Sequence, residues 1–322
     1  MKKIIIGLVV LFGLAAGYSR AECIRGNCVD GQGTVLLEDG RKFEGQFSKG
    51  KPNGPGTLLF PDGTSLVGRF INSPENGRGV MTFPDGRQYE GQFYHGLYNG
   101  QGTLSYPKDG DKYMGQWRAG KFYQGRATIT FPDGRRYEGD FKNDRPHGQG
   151  VMVHPDGSRY DGAFKDGEYE GPGILLQADG SRYEGGFKAG RYHGEGKLEY
   201  ADGAKYGGEF EDGEFNGLGR MIYADERVYA GNWRAGVYAG RGVLSLADGT
   251  QYTGEFNDGK YDGQGTLLLA DGTKQAGIFK AGAFVGRETE VQTVGGDKAD
   301  RKETQLDFGS FKKQKEKQEK AK

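Results

Sequence analysis

Rings, glycines and apolar residues return along this chain in fixed columns. In the run Tyr160, Asp161, Gly162, Ala163, Phe164, every second residue is aromatic or glycine, with an acid and an alanine between them. Side chains alternate across a strand, so Tyr160, Gly162 and Phe164 share one face while Asp161 and Ala163 point the other way. Further on, a second short run also alternates, with Leu58, Met81, Leu104 and their counterparts through Leu267 in one apolar column. That run ends in Asp-Gly in every full copy but one, the spelling of a tight turn with positive φ. The exception, Asp225-Glu226, predicts a strained or altered turn.

The pattern has a period of 23 residues, as "FEGQFSKGKPNGPGTLLFPDGTS" (Phe43 to Ser65) and "YEGGFKAGRYHGEGKLEYADGAK" (Tyr183 to Lys205) show side by side. Ten full copies run from Phe43 to Lys274, flanked by half copies from Cys23 to Lys42 and from Gln275 to Arg287. One extra residue near Lys108 and another within "GKFYQGRA" predict bulged loops in the third and fourth copies. A fixed period of this size marks an array of one supersecondary unit, and glycine at this density disfavours helix. The unit is therefore a β-hairpin. The expected fold is all-β, an elongated single-layer antiparallel meander of tandem 23-residue hairpins, with two strands per copy at ~4.8 Å each and a length on the order of 100 Å. Glycine at the third position leaves flat backbone for neighbouring rings to lie on.

The tandem pattern "YEGQF…G…NGQGTL…DG" resembles the MORN (membrane occupation and recognition nexus) repeat. The likeness extends from Phe43 to Arg287, and ten copies in register make it specific. It implies a hairpin solenoid without catalytic activity of its own, used as a protein scaffold, as a dimerisation surface or in contact with anionic phospholipid. No kinase or methyltransferase domain accompanies the repeats here.

Composition narrows the function classes. Only 34% of the 322 residues are hydrophobic and 61 are glycine, too little apolar side chain for a two-layer core. Lys and Arg match Asp and Glu at 44 each, so no bulk field draws nucleic acid. Charges also follow columns. Lys112, Arg136, Arg159 and Arg182 precede the first position and Glu90, Glu138, Asp161 and Glu184 follow it, so opposite ladders run side by side on one face.

The first residues belong to export. Lys2 and Lys3 precede an apolar run from Ile4 to Ala16, and Ser19 and Ala21 sit where a signal peptidase expects small residues. Residues 1–21 thus form an expected signal peptide, with an uncleaved anchor as the alternative, and the protein is expected to be periplasmic or secreted. In an oxidising compartment the close pair Cys23 and Cys28 is expected to form a disulfide in the half repeat 22–42.

The recurring Gly-x-Gly, as at Gly148 and Gly150, opens a strand and not a helix, which removes the phosphate-loop reading. His147 and His193 take the same repeat position two copies apart, ~19 Å in a meander, too far for one metal ion. They are expected to be solvated loop residues. No nucleophile motif stands out, and neither a catalytic site, a metal nor a cofactor is expected. The best binding candidates are aromatic. First-position and fifth-position rings read as the sheet's substitute for a core. A third column at the hairpin loop (Tyr98, Tyr169, Tyr192, Phe215, Tyr238, Tyr261) either joins that core or forms a rim for a peptide, partner loop or glycan.

Residues 288–322 leave the pattern and end in "FKKQKEKQEKAK", expected to be disordered or marginally helical. Lys312, Lys313, Lys315, Lys317, Lys320 and Lys322 are candidates for an anionic surface, and "QLDFGSF" for a cap on the last hairpin. Two function classes follow. One is an exported, non-enzymatic scaffold that binds another envelope protein or itself; the other is a peripheral lipid or glycan binder working through this end and the rim tyrosines.

Overall fold

The computed structural model describes residues 21–286. The expected signal peptide, save Ala21, and the lysine-rich end from 287 onward lie outside the described residues, as do the six candidate lysines and the "QLDFGSF" cap. Twenty-four strands, from β1 (Glu22–Gly26) to β24 (Ala283–Gly286), form one sheet, with no helix among the described residues. Each strand is antiparallel to the next in sequence, so the sheet is a meander of hairpins, as the repeat predicts.

Two kinds of turn alternate. Asp166 (φ 52°) and Gly167 (φ 96°) join β13 (Arg159–Lys165) to β14 (Glu168–Leu176) as a two-residue turn with both φ positive, which matches the twist of the flanking strands. A wider turn joins β14 to β15 (Arg182–Lys188). There the Gly180 amide donates to Gln177 O at 3.0 Å, the Gln177 amide donates to Ser181 O at 2.8 Å, and Gly180 has φ 92°. The Asp179 carboxylate accepts from the Ser181 amide at 2.8 Å, which explains the aspartate before each glycine. At Asp225-Glu226 the same hydrogen bonds form, Glu226 N to Tyr223 O at 3.1 Å and Tyr223 N to Arg227 O at 2.9 Å. The turn is thus not altered; Glu226 itself takes φ 67°, and the strain resides in that residue.

Within each regular hairpin the register breaks once. Gly162 faces Gly173 and Phe164 faces Tyr169, so Glu170, Gly171 and Pro172 bulge opposite Ala163 alone. Gly171, the first glycine of the Gly-x-Gly, supports the bulge with φ 84°. Between copies the pairing is continuous, from Gly171 opposite Phe187 to Leu176 opposite Arg182.

A sheet one layer thick still has a core, because each first-position ring is boxed in. Tyr160 is fully buried. It lies flat over the facing pair Gly162 and Gly173, where an added Cβ would come within 2.6 Å and 2.5 Å of its hydroxyl oxygen. Its hydroxyl donates to Ala163 O at 2.8 Å. Tyr169 stacks on the other face at 3.7 Å between ring centroids, and Phe164 and Phe187 close the sides edge-on at 5.1 and 5.0 Å. Phe187 belongs to the following copy. The same enclosure recurs around Tyr89, Tyr183, Tyr206, Tyr229 and Tyr252.

The irregular copies depart where the extra residues stand. In the third copy the surplus widens the turn, and Gly110 N reaches back four residues to Tyr106 O. In the fourth it enters the strand: the register of β10 (Lys121–Thr130) slips between Phe122 and Gln124. Tyr113 then faces Ala127 in place of Ile129.

Candidate interaction surface

The third aromatic column is built into the strands and not onto a loop. The two-residue turn ends two positions before each ring, so Tyr98 falls in β8 (Leu97–Tyr106), Tyr169 in β14, Tyr192 in β16 (Arg191–Glu199), Phe215 in β18 (Glu214–Ile222), Tyr238 in β20 (Val237–Ser245) and Tyr261 in β22 (Lys260–Leu268). Tyr98 is buried and the other five are half-buried. Each covers the first-position ring of its own copy at 3.7 to 3.8 Å. One ring face is therefore spent on packing, and an edge remains, which carries a hydroxyl in each of these except Phe215. Tyr169 hydrogen-bonds His154 Nε2 at 2.6 Å, Gln177 donates to the Tyr192 hydroxyl at 2.7 Å, and the hydroxyls of Tyr238 and Tyr223 meet. Burial pushes the Tyr169 phenol up to about 12, so this edge offers neutral hydroxyls at physiological pH.

Those partners expose a fourth column that the hairpin pattern alone did not single out: the residue just before each wide turn. It holds Phe83, Phe131, His154, Gln177 and Tyr223 at one repeat position. Where arginine follows the turn, its guanidinium lies over that ring, Arg87 on Phe83 at 4.6 Å, Arg135 on Phe131 at 5.1 Å and Arg227 on Tyr223 at 4.6 Å. The turn aspartate anchors the same guanidinium, as in Arg87 to Asp85 at 2.6 Å and Arg135 to Asp133 at 2.8 Å. The spellings "FPDGR" and "YADER" carried this signal.

The opposite face of the sheet is unpacked. Strands that open a copy show charge there, paired along the strand as Arg159 with Asp161 at 2.9 Å and Arg182 with Glu184 at 2.7 Å, in line with the side-by-side ladders. Both pairs are exposed and add little stability. The intervening strands show aliphatic and β-branched residues. Val151 and Ile174 flank Asp161, while Val153 and Leu176 flank Arg159. Leu59, Val67, Met114, Val153, Ile174 and Leu176 stand exposed on this side, Val67 at 55% and Met114 at 49%.

At the amino-terminal edge, Cys23 and Cys28 are joined, and Cys23 sits opposite Val35 in the column that tyrosine holds elsewhere. A Cβ on Gly33 would lie 2.8 Å from Cys28 Sγ, so sulfur covers the glycine that a ring covers in later copies.

A profile of the MORN repeat matches ten consecutive segments of this chain, from residues 43–65 to residues 252–274. The chain belongs to the MORN repeat family. No curated protein sequence matches this chain. Among solved structures, the TCP domain of Drosophila melanogaster SAS-4, in complex with a proline-rich motif, is 14% identical over 48% of this chain and 85% of its own, with a TM-score of 0.30. The TCP10 domain of Danio rerio CPAP is 15% identical over 63% and 84%, with a TM-score of 0.22. The virginiamycin B lyase of Staphylococcus aureus is 9% identical over 81% and 89%, with a TM-score of 0.13.

In the MORN array the histidines sit differently from the loop positions expected. His147 lies in β12 (Arg145–Val153) and His193 in β16, both half-buried, each with a buried Nδ1 that has no hydrogen-bond partner among the described residues. Among the described residues no group of three His, Cys, Asp or Glu side chains converges as a metal site would require.

Proposed function

We propose that this MORN array is a non-enzymatic repeat scaffold, exported to the periplasm or beyond, that binds another envelope protein or a second copy of itself. The observation that carries the reading is the division of labour between the two faces. The aromatic face is consumed by its own packing, while the other presents Leu59, Val67, Val153, Ile174 and Leu176 to solvent between rows of paired charge. Aliphatic side chains set among neutralised charges suit a protein contact better than an anionic membrane. The half-buried tyrosine edges are a narrower surface for the same class of partner.

The rival reading, a peripheral binder of anionic lipid or glycan, is favoured by the six lysines against two glutamates from Phe311 to Lys322. Salt separates the two. Full-length chain and a variant lacking 311–322 are sedimented alone, with envelope extract after cross-linking, and with anionic or neutral vesicles across a salt series. The scaffold reading expects assemblies that persist at high salt and no vesicle uptake. Vesicle uptake that needs 311–322 and fades with salt overturns it in favour of lipid.

A further inference from the structure

From β11 (Arg136–Lys142) to β23 (Lys274–Lys280) each strand sets residues on the outer face in two rows that run across the sheet. The row nearer the wide turns passes from Arg136 through Val153, Arg159, Leu176 and Arg182 to Glu199. The row beside it passes from Glu138 through Val151, Asp161, Ile174 and Glu184 to Lys197. On β11, β13, β15 and β16 the two rows therefore carry opposite charges, and on β12 and β14 both are aliphatic. From β17 (Lys205–Glu211) to β23 no strand holds charge in both rows, as with Lys205 and Gly207 or Ile222 and Arg220. Like charges never share a strand across these rows.

This order is complementary to itself. A two-fold axis laid across the strands, midway between the rows, sets each strand antiparallel on its own counterpart in a second copy. Arg159 then faces Asp161 of the second copy, and the reverse, while Leu176 meets Ile174 and Val153 meets Val151. An axis along the strands sets arginine over arginine, so the first arrangement is the one free of repulsion. Val153, Ile174 and Leu176 stand exposed and ready to be covered. On one face each residue covers about 4.8 by 6.8 Å, so two rows over these thirteen strands offer about 800 Å². That is the share of one partner in an interface of standard size.

We infer that the outer face from β11 to β23 is where two copies of this chain pair, sheet on sheet, with each strand over its own counterpart. The aliphatic rows of β12 and β14 exclude water at the contact, and the charged strands between them fix its register. Arg159 and Arg182 exchange a carboxylate along their own strand for one across the interface, so no charge is left unpaired. This inference rests on the scaffold reading and narrows its partner to a second copy held in one stated register.

The test follows self-association of the full-length chain by sedimentation velocity across a concentration series, and a dimer is expected. Arg159→Glu alone and Asp161→Arg alone each give β13 the same charge in both rows, so like charges meet twice per dimer. Each is expected to weaken the dimer about tenfold or more. An equal mixture of the two variants is expected to restore it, because every substituted charge then faces an opposite one. Chains with Ile174→Cys and with Leu176→Cys are expected to cross-link to each other faster than to themselves, the native cysteines being already joined. Circular dichroism checks that each variant remains folded. A monomer at every concentration, single variants that associate as the unsubstituted chain does, or a mixture no better than its components overturns the inference. So does loss of the dimer on removing 288–322, which would give the contact to that segment. A monomer that still captures an envelope protein removes the self-pairing alone and leaves the scaffold reading standing.

Discussion

Gly173 has no room for a methyl group. The Cβ of an alanine there would come 2.5 Å from the hydroxyl oxygen of Tyr160, and that ring cannot lift because Tyr169 lies on it at 3.7 Å. Gly173→Ala is expected to lower stability by about 1–3 kcal/mol, seen as a drop in the urea midpoint, since the strain of overpacking is shared among stacked rings. Gly207 supplies the contrast. It lies on the outer face with nothing within 4 Å, and Gly207→Ala is expected to stabilise by about 0.5–1 kcal/mol through the lost freedom of the unfolded chain. If both substitutions cost the same, ring cover is not why the inner glycines are there. The sequence announced these glycines as a column on the ring face, and the flat-backbone reading holds. It left the third ring open between core and rim, because spacing alone does not tell a strand residue from a loop residue two positions past a turn.

At the scale of the hairpin, the wide turn keeps its hydrogen bonds whether glycine or glutamate occupies the fourth position, so the demand falls on φ. Glu226→Gly is expected to raise stability by about 1 kcal/mol, the cost of holding a side-chain-bearing residue in the left-handed region, with the pairing of the flanking strands unchanged. A fall in the urea midpoint would mean that the Glu226 side chain makes a contact worth more than its strain. Strand order and turn positions were legible because ten imperfect copies vote on each one. The three-against-one bulge at Gly171 was not, since the alternation of Tyr169, Gly171, Gly173 and Leu175 looks unbroken in sequence while its partner strand skips. The column before the wide turn stayed hidden for another reason. Phe, His, Gln, Tyr and Leu all hold its place, so no one residue type or polarity marks the column.

Taken as a whole, the array hides its phenols, and this sets its behaviour in alkali. Burial pushes Tyr183 and Tyr252 up to about 12 and raises Tyr89, Tyr137, Tyr160, Tyr206 and Tyr229 as well, against 10.0 for a free phenol. The stabilisation is complete below pH 10. Above it the unfolded chain releases protons that the folded chain keeps, so stability falls as pH climbs through about 12. Urea midpoints taken from neutral pH to about pH 11 are expected to hold level and then drop steeply, with tyrosinate absorbance rising at the same point. Phenols that ionise well before unfolding would contradict the enclosure seen around them.

The ring that closes each box comes from the neighbour, as Phe187 does for Tyr160. The boundaries drawn by counting residues therefore cut through the packing: a 23-residue unit holds its own box but for one wall, and lends one wall, as Phe164 does to Tyr137, to the box before it. Any exchange of genetic material in phase with the period restores the missing wall at the seam, wherever it falls. Length is thus the property this protein can change most freely over generations, by whole steps and without a bad joint, while the spelling of each step is held in place from both sides.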